Sequence, residues 1–152
     1  MVEWIAILFF FLLGLSVGSY ANVLIFRFGF EERASPRSLC AQCGASLRWH
    51  DLIPIASFIA LSGRCRFCKS ALSLQYPVVE LALGVLFVLS YVFYTPLFSF
   101  LSVIAFLSLL VFIASSVVVF AYDMRHTLVP LPFVYVAFAA ALVRSVSESF
   151  SL

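Results

Sequence analysis

The four cysteines of the chain fall in one segment as two pairs, Cys40-x-x-Cys43 and Cys65-x-x-Cys68, separated by 21 residues. Two such pairs allow four thiolates to surround one zinc ion tetrahedrally, at about 2.3 Å from the metal. The spacing is also close to that of four-cysteine zinc sites. Because four ligands leave no open coordination position, the pattern predicts a structural zinc site and not a catalytic one.

Other residues of the same segment bear on this prediction. Glycines stand beside the pairs, where tight turns require positive φ, and four basic residues offset the charge of the thiolates: Gly44, Gly63, Arg37, Arg64, Arg66 and Lys69. His50 is a substitute ligand, although a loop histidine beside Trp49 more often packs or lies at the surface. Two disulfides and thiol redox chemistry are the alternative interpretations.

Two carboxylates lie next to apolar runs, Glu80 near the start of one and Asp123 at the end of another. Such a carboxylate is costly in a membrane and is a candidate functional group. Asp123 has the alternative of a helix-end residue that faces water, paired with Arg125 or His126. Hydrolysis by an aspartic peptidase needs two carboxyls with separated pKa values. Pairing of Asp123 with Glu80, or with a second copy of itself, is a less favoured arrangement.

The elements that must position these residues are membrane helices. Hydrophobic residues make up 64% of the chain, charged residues 11%, and the mean hydropathy is +1.16, whereas soluble domains contain about 25% charged residues. Apolar runs of this length can cross a bilayer. We predict four spans, at 4–26, 78–94, 97–122 and 128–143, with a turn at Thr95-Pro96. The acidic start and the length of the first run argue against a cleaved signal peptide.

Basic residues predict the orientation of these spans. Seven of the nine lie between Arg27 and Lys69, and short loops rich in lysine and arginine stay in the cytoplasm. The N-terminus is therefore predicted outside, with the cysteine loop and the Arg125 loop inside. The predicted organisation is a first membrane helix at 1–27, a cytoplasmic zinc-binding domain at 28–76, and three further membrane helices at 77–152. A net charge of only +2 argues against a nucleic-acid partner.

Two further segments have a predicted structural role. Gly14, Gly18, Ser19 and Asn22 form a small, polar stripe on the first span, which favours close helix packing in the bundle over a dedicated dimer motif. The apolar segment 52–61 is too short to cross a bilayer. It is expected to pack on the cysteine turns or to lie in the membrane interface.

These residues together identify a family resemblance. The order "GLSVGSYANVLIFR", CxxCG, "LRWHDLIPIASFIALSGRCRFC" and "LQYPVVELALG" resembles the N-terminal half of bacterial type IV prepilin peptidases, and "YDMRHTLVP" resembles their first catalytic aspartate motif. The resemblance covers residues 13 to 132. It implies an all-α, multi-pass protein of the bacterial inner membrane, whose partners are membrane lipid and the leader segments of prepilins or pseudopilins.

The same resemblance assigns roles to residues. Asp123 matches the first catalytic aspartate of an aspartic endopeptidase, and Glu80 matches a glutamate of a "YP-x-x-E" segment that we relate to methylation. The four-cysteine loop matches the domain associated with N-methylation, for which the methyl donor is S-adenosylmethionine. Zinc is expected at Cys40, Cys43, Cys65 and Cys68.

The sequence departs from the family at two points. Pro130 is followed by Leu131 where the motif often continues with aspartate, and no GxGD motif for a second catalytic aspartate is present. We therefore expect a truncated peptidase or one half of a split enzyme, with a separate C-terminal half carrying GxGD as partner. A non-catalytic membrane adaptor in pilus or secretion assembly is the alternative, and a methyltransferase remnant is a third.

Overall fold

The described part of the chain contains four long helices, and the four cysteines lie between the first two of them. The computed structural model describes residues 2–28, 39–40, 42–94 and 99–149. Among these residues, β pairing is limited to two isolated bridges. The helices are α1 (Val2–Arg27), a 3₁₀ helix (Trp49–Leu52), α2 (Ala56–Ala60), α3 (Gln75–Phe93), α4 (Phe100–His126) and α5 (Leu131–Ser149).

The predicted fold class is confirmed: α1, α3, α4 and α5 are each long and apolar enough to cross a membrane. Helix α5 extends beyond the predicted span because Arg144 pairs with Glu148 one turn later, at 2.9 Å, and such pairs stabilise helices. The predicted turn at Thr95-Pro96 lies outside the described residues, as do Arg33 and Arg37.

Helices α1 and α3 approach each other closely because glycines line their crossing. A Cβ at Gly14 would stand 2.5 Å from the carbonyl oxygen of Leu83, and one at Gly18 would stand 2.6 Å from the Cα of Glu80. Small residues permit such backbone contact between membrane helices. The small-residue stripe of α1 is therefore used for packing within the chain.

Aromatic side chains join α4 to this pair. The ring of Phe10 stacks on Tyr91 at 4.9 Å and meets the edge of Phe106 at 5.4 Å. Leu83 and Phe87 are buried in the same cluster, while α5 packs mainly against α4. Helices α1, α3 and α4 therefore share one apolar core.

Candidate metal centre and buried carboxylate

The two cysteine pairs form the same small hairpin twice. In each, the N–H of the first cysteine donates to a carbonyl five residues later, and that cysteine's carbonyl accepts an N–H from four residues later, with distances of 2.9 to 3.1 Å. An isolated β-bridge closes each hairpin, Leu39 with Ser46 and Arg64 with Ala71. The chain thus presents two matching knuckles, which is the arrangement that directs two thiolates each toward one ion.

The four Sγ atoms lie close enough together to share one metal ion. All of them are within 4.8 Å of one another, and the Sγ atoms of Cys40 and Cys68 are 3.9 Å apart. Tetrahedral bonds of about 2.3 Å place sulfurs about 3.8 Å apart. All four cysteines are free thiols. The cluster could therefore hold a single tetrahedral ion, and thiolate ligands suit zinc.

Hydrogen bonds already favour the thiolate at part of this cluster. The Ser70 hydroxyl, 3.0 Å from the sulfur, and the Ser70 backbone lower the pKa of Cys68 to about 6. The Ala45 backbone lowers the pKa of Cys43, but lost hydration and the neighbouring thiols of Cys68 and Cys40 raise it to about 11. Crowded thiolates repel one another, and a bound divalent cation removes this repulsion.

The buried side chain of Asp51 joins the 3₁₀ helix to the second knuckle, and sequence reasoning missed this role. The side chain of Asp51 accepts from Arg66 Nη2 at 2.7 Å and Nε at 2.9 Å, and from the Arg48 N–H at 3.2 Å. The hydrogen bond from Arg66 lowers the pKa of Asp51. Arg66 was predicted only to offset thiolate charge. An acid placed before a basic cluster was the available signal, but it did not identify the partner.

His50 lies outside the metal cluster. Within the described residues, the side chains grouped closely enough to hold an ion are the four cysteines. The Nε2 of His50 is 3.6 Å from Asp51 Oδ1, and its ring meets Trp49 edge-on at 5.5 Å. This placement agrees with a packing role for the histidine.

The residue after each knuckle has a left-handed backbone. Gly44 has φ +69°, whereas the corresponding residue of the second knuckle is Lys69, with φ +59°. Glycine accepts such angles readily, but a residue with a Cβ adopts them at a cost of about 1–2 kcal/mol. Gly63, whose φ is +65°, occupies a separate turn before Cys65.

Exchanging these two residue types should move metal affinity in opposite directions. We expect Gly44→Ala to weaken zinc binding about 5- to 10-fold, since its Cβ would meet no atom within 4 Å and only the backbone cost remains. Lys69→Gly should strengthen zinc binding about 2- to 5-fold. Competition with a colourimetric zinc chelator measures both variants, and equal affinities would contradict the assignment of the two turns.

Glu80 is buried between α1 and α3 and holds the small domain against them. It is 6% exposed, and its Oε2 accepts the Ile55 N–H at 2.7 Å, while Ser19 donates a second hydrogen bond. Ile55 has φ +58°, an angle that β-branched residues rarely adopt. The carboxylate therefore stabilises a strained residue that immediately precedes α2.

Asn22 continues this polar cluster one turn along α1. Its Nδ2 donates to the Tyr76 carbonyl at 3.1 Å, and it is 1% exposed. Its Oδ1 is buried and has no hydrogen-bond partner among the described residues. Buried polar atoms are usually satisfied, so this oxygen is an exception within the polar cluster.

The surroundings of Asp123 differ from those of the buried Glu80. Asp123 is exposed, one turn before the end of α4, and its carbonyl accepts the Thr127 N–H at 2.7 Å. Arg125, one of the two partners considered for Asp123 in the alternative interpretation, donates to Gln75 at 3.2 Å and covers the Phe26 ring at 4.1 Å. The Asp123 side chain is thus open to solvent at the end of the bundle.

Comparisons with known proteins identify relatives of about half of the chain. A family model described as "Bacterial Peptidase A24 N-terminal domain" matches residues 12–94. This range includes the four cysteines and Glu80, and it ends before Asp123. No solved structure matches the chain.

Several curated relatives carry the name prepilin leader peptidase/N-methyltransferase, and three of them show the extent of the match. The protein of Myxococcus xanthus is 48% identical over 80 residues, covering 52% of this chain and 24% of the relative. The protein of Klebsiella pneumoniae is 44% identical over 89 residues, which cover 54% of this chain and 39% of the relative. The protein of Vibrio cholerae is 34% identical over 90 residues, which cover 53% of this chain and 36% of the relative. The chain therefore matches between about a quarter and two fifths of the length of these relatives.

Proposed function

The chain belongs to the bacterial peptidase A24 N-terminal domain family, and from this premise we propose that it supplies the N-terminal part of a prepilin leader peptidase/N-methyltransferase. The observation that carries the proposal is that the matched range contains both the four-thiol cluster and the buried carboxylate that holds the cluster's domain on the membrane helices. The organisation that we propose is a membrane helix at 1–27, a zinc-binding domain at 28–76 and the remaining membrane helices at 77–152.

Zinc is the ion that we propose for the four cysteines, where it would link the two knuckles. The chain's own residues prepare the site: the knuckle hydrogen bonds aim the thiols inward, and the Asp51–Arg66 pair fixes the second knuckle to the 3₁₀ helix. With all four coordination positions taken by cysteines, the ion would have a structural role.

The hydrolytic contribution that we propose for this chain is one carboxyl, Asp123. In an aspartic peptidase, an ionised carboxyl takes a proton from water as the water oxygen attacks the scissile carbonyl, and a protonated carboxyl donates to the leaving nitrogen. The second carboxyl would come from a GxGD segment outside these 152 residues, on a separate C-terminal half. The substrates would be the leaders of prepilins or pseudopilins.

Methyl transfer is the second activity that the relatives' names include. We propose that the polar cluster of Ser19, Asn22 and Glu80 belongs to that function, with S-adenosylmethionine as methyl donor. The unpartnered Oδ1 of Asn22 supports this assignment because a buried polar atom without a hydrogen-bond partner is uncommon in a purely structural cluster.

The charges at the helix ends support a proposed membrane arrangement. Basic residues are concentrated on the side of the cysteine domain, and the proposed orientation places that side and Asp123 in the cytoplasm, with the N-terminus outside the inner membrane. Asp123 lies in the last turn of α4, on the side where Arg125 contacts the first residue of α3, so the carboxyl and the cysteine domain share this side.

Cleavage of a prepilin should depend on Asp123. We expect the chain, co-expressed with a membrane protein that carries a GxGD segment and lacks the first aspartate, to restore cleavage, and Asp123→Asn to lower the rate by at least about 100-fold because one acid–base group is lost. Immunoblots of prepilin and mature pilin at fixed times after induction measure the rate.

Glu3→Gln serves as the matched control, because it removes an exposed carboxylate at the N-terminal end of α1, away from the bundle end that carries Asp123. This variant should leave cleavage unchanged. Equal cleavage by wild type and Asp123→Asn would overturn the catalytic role. If the GxGD protein instead requires the cysteine domain but not Asp123, the chain acts as a non-catalytic adaptor.

A further inference from the structure

The segment between the two knuckles exposes large apolar side chains. Trp49 is 77% exposed and Ile59 is 69% exposed, and Leu52 and Ile53 between them are also exposed. The 3₁₀ helix, which carries Trp49 and Leu52, contacts α2, which carries Ile59. We name these four residues the Trp49–Ile59 surface. An apolar surface of this kind on a small domain indicates a binding partner or a membrane.

The hydrogen bond between Ile55 and Glu80 fixes the depth of this surface. Ile55 lies between Ile53 and Ile59, and its N–H is 2.7 Å from Glu80 Oε2. Glu80 is five residues into α3, which is about 7.5 Å along the helix axis. The segment therefore descends beside the bundle to the first turns of a membrane-spanning helix.

Polar residues mark the boundary from which that depth is measured. Gln75 begins α3 and accepts a hydrogen bond from Arg125, next to the last residue of α4, while Arg27 ends α1. Charged and amide groups at the ends of apolar helices lie at the water side of the interface. Because Glu80 is inside this ring of residues, Ile55 is held at the level where headgroups meet acyl chains.

The surface also has the composition of an interfacial segment. Tryptophan is enriched at the membrane interface, and exposed arginines flank the segment on both sides, Arg48 before it and Arg64 after it. Arginine side chains can lie along apolar surface and place the guanidinium among lipid phosphates. The flanking residues thus complement an anionic bilayer surface.

We propose that the Trp49–Ile59 surface is seated in the headgroup–acyl boundary of the leaflet on the cysteine-domain side, so that the bilayer covers it. The cysteine domain then lies on the membrane, anchored by lipid contact as well as by Glu80. This inference concerns membrane contact alone and does not depend on prepilin cleavage.

The depth of Trp49 tests the proposal directly. The chain has two tryptophans, so Trp4→Phe leaves Trp49 as the single reporter in the full-length protein. The protein is reconstituted in phosphatidylcholine–phosphatidylglycerol nanodiscs that contain lipids brominated near the headgroup end or near the methyl end of the acyl chain. We expect at least a two-fold larger loss of Trp49 fluorescence with the shallow label than with the deep one.

The reciprocal variant, Trp49→Phe, provides the control, because Trp4 at the start of α1 reports the opposite interface. Ile59→Ser in the Trp4→Phe background should reduce the quenching of Trp49, and unchanged zinc content shows that this variant is folded. Trp49 that is unquenched by both lipids and accessible to iodide would overturn the proposal in favour of a surface open to water or a protein partner. Stronger quenching by the deep label would overturn it as well.

Discussion

Cys65→Ser should leave the purified chain with far less than one zinc ion and should open its small domain to proteases. Cys65 is buried, and its sulfur belongs to the group of four that lie within 4.8 Å of one another. Loss of the hydrogen bonds that surround metal ligands typically costs about 10- to 100-fold in affinity, so loss of a ligand should cost at least about 100-fold. Metal binding and folding are coupled in small domains of this kind.

Metal analysis of detergent-purified protein and limited proteolysis between residues 39 and 71 measure these two effects. Treatment of the wild type with a strong chelator should reproduce the protease sensitivity of the variant. Gln42→Ala is the matched control: the side chain is exposed between two cysteines of the same knuckle, and the variant should retain about one zinc per chain. A Cys65→Ser protein that also retains one zinc would refute the four-thiolate site.

Gly14→Ala and Gly18→Ala should each destabilise the helix bundle by about 1–3 kcal/mol. The added methyl groups would stand 2.5 and 2.6 Å from backbone atoms of α3. A side chain can relieve such a clash by changing its rotamer, whereas a helix backbone cannot. The two helices must therefore separate, which weakens the contacts along the whole crossing. The higher helix propensity of alanine, about 1 kcal/mol, offsets only part of this loss.

Unfolding in mixed micelles with increasing fractions of denaturing detergent measures the change. Ser16→Ala lies on the exposed face of α1, and its midpoint should remain close to that of the wild type. Gly84→Ala should have a smaller effect, since the three atoms nearest its methyl group would be side-chain atoms of Phe11 and Leu15, at 3.0 to 3.1 Å. If Gly14→Ala and Ser16→Ala unfold alike, the close crossing of α1 and α3 is wrong.

Features that depend on neighbouring residues in the sequence could be predicted well. The four spans follow from long apolar runs, and the cysteine cluster follows from two CxxC pairs whose local hydrogen bonds form within eight residues. The small-residue stripe of α1 likewise indicated a close helix crossing, because glycine spacing is a local property.

Features that join distant residues could not be predicted. Asp51 meets Arg66 across 15 residues, and Glu80 meets Ile55 across 25, and one acidic side chain among many basic residues does not specify its partner. The left-handed angle at Lys69 was also missed, since lysine carries no preference for it. Lys69 adopts the left-handed angle because the second knuckle repeats the geometry of the first, in which Gly44 occupies the corresponding position.

The contact between Glu80 and Ile55 also implies an order of assembly. The knuckles make their hydrogen bonds within residues 39–72, so this part could bind a metal ion as soon as it has been synthesised. Glu80 reaches its place only after α3 has entered the bilayer and met the glycines of α1. We therefore expect metal-dependent closure of the small domain to come first, and its attachment to the helix pair to be a late, separate step of biogenesis.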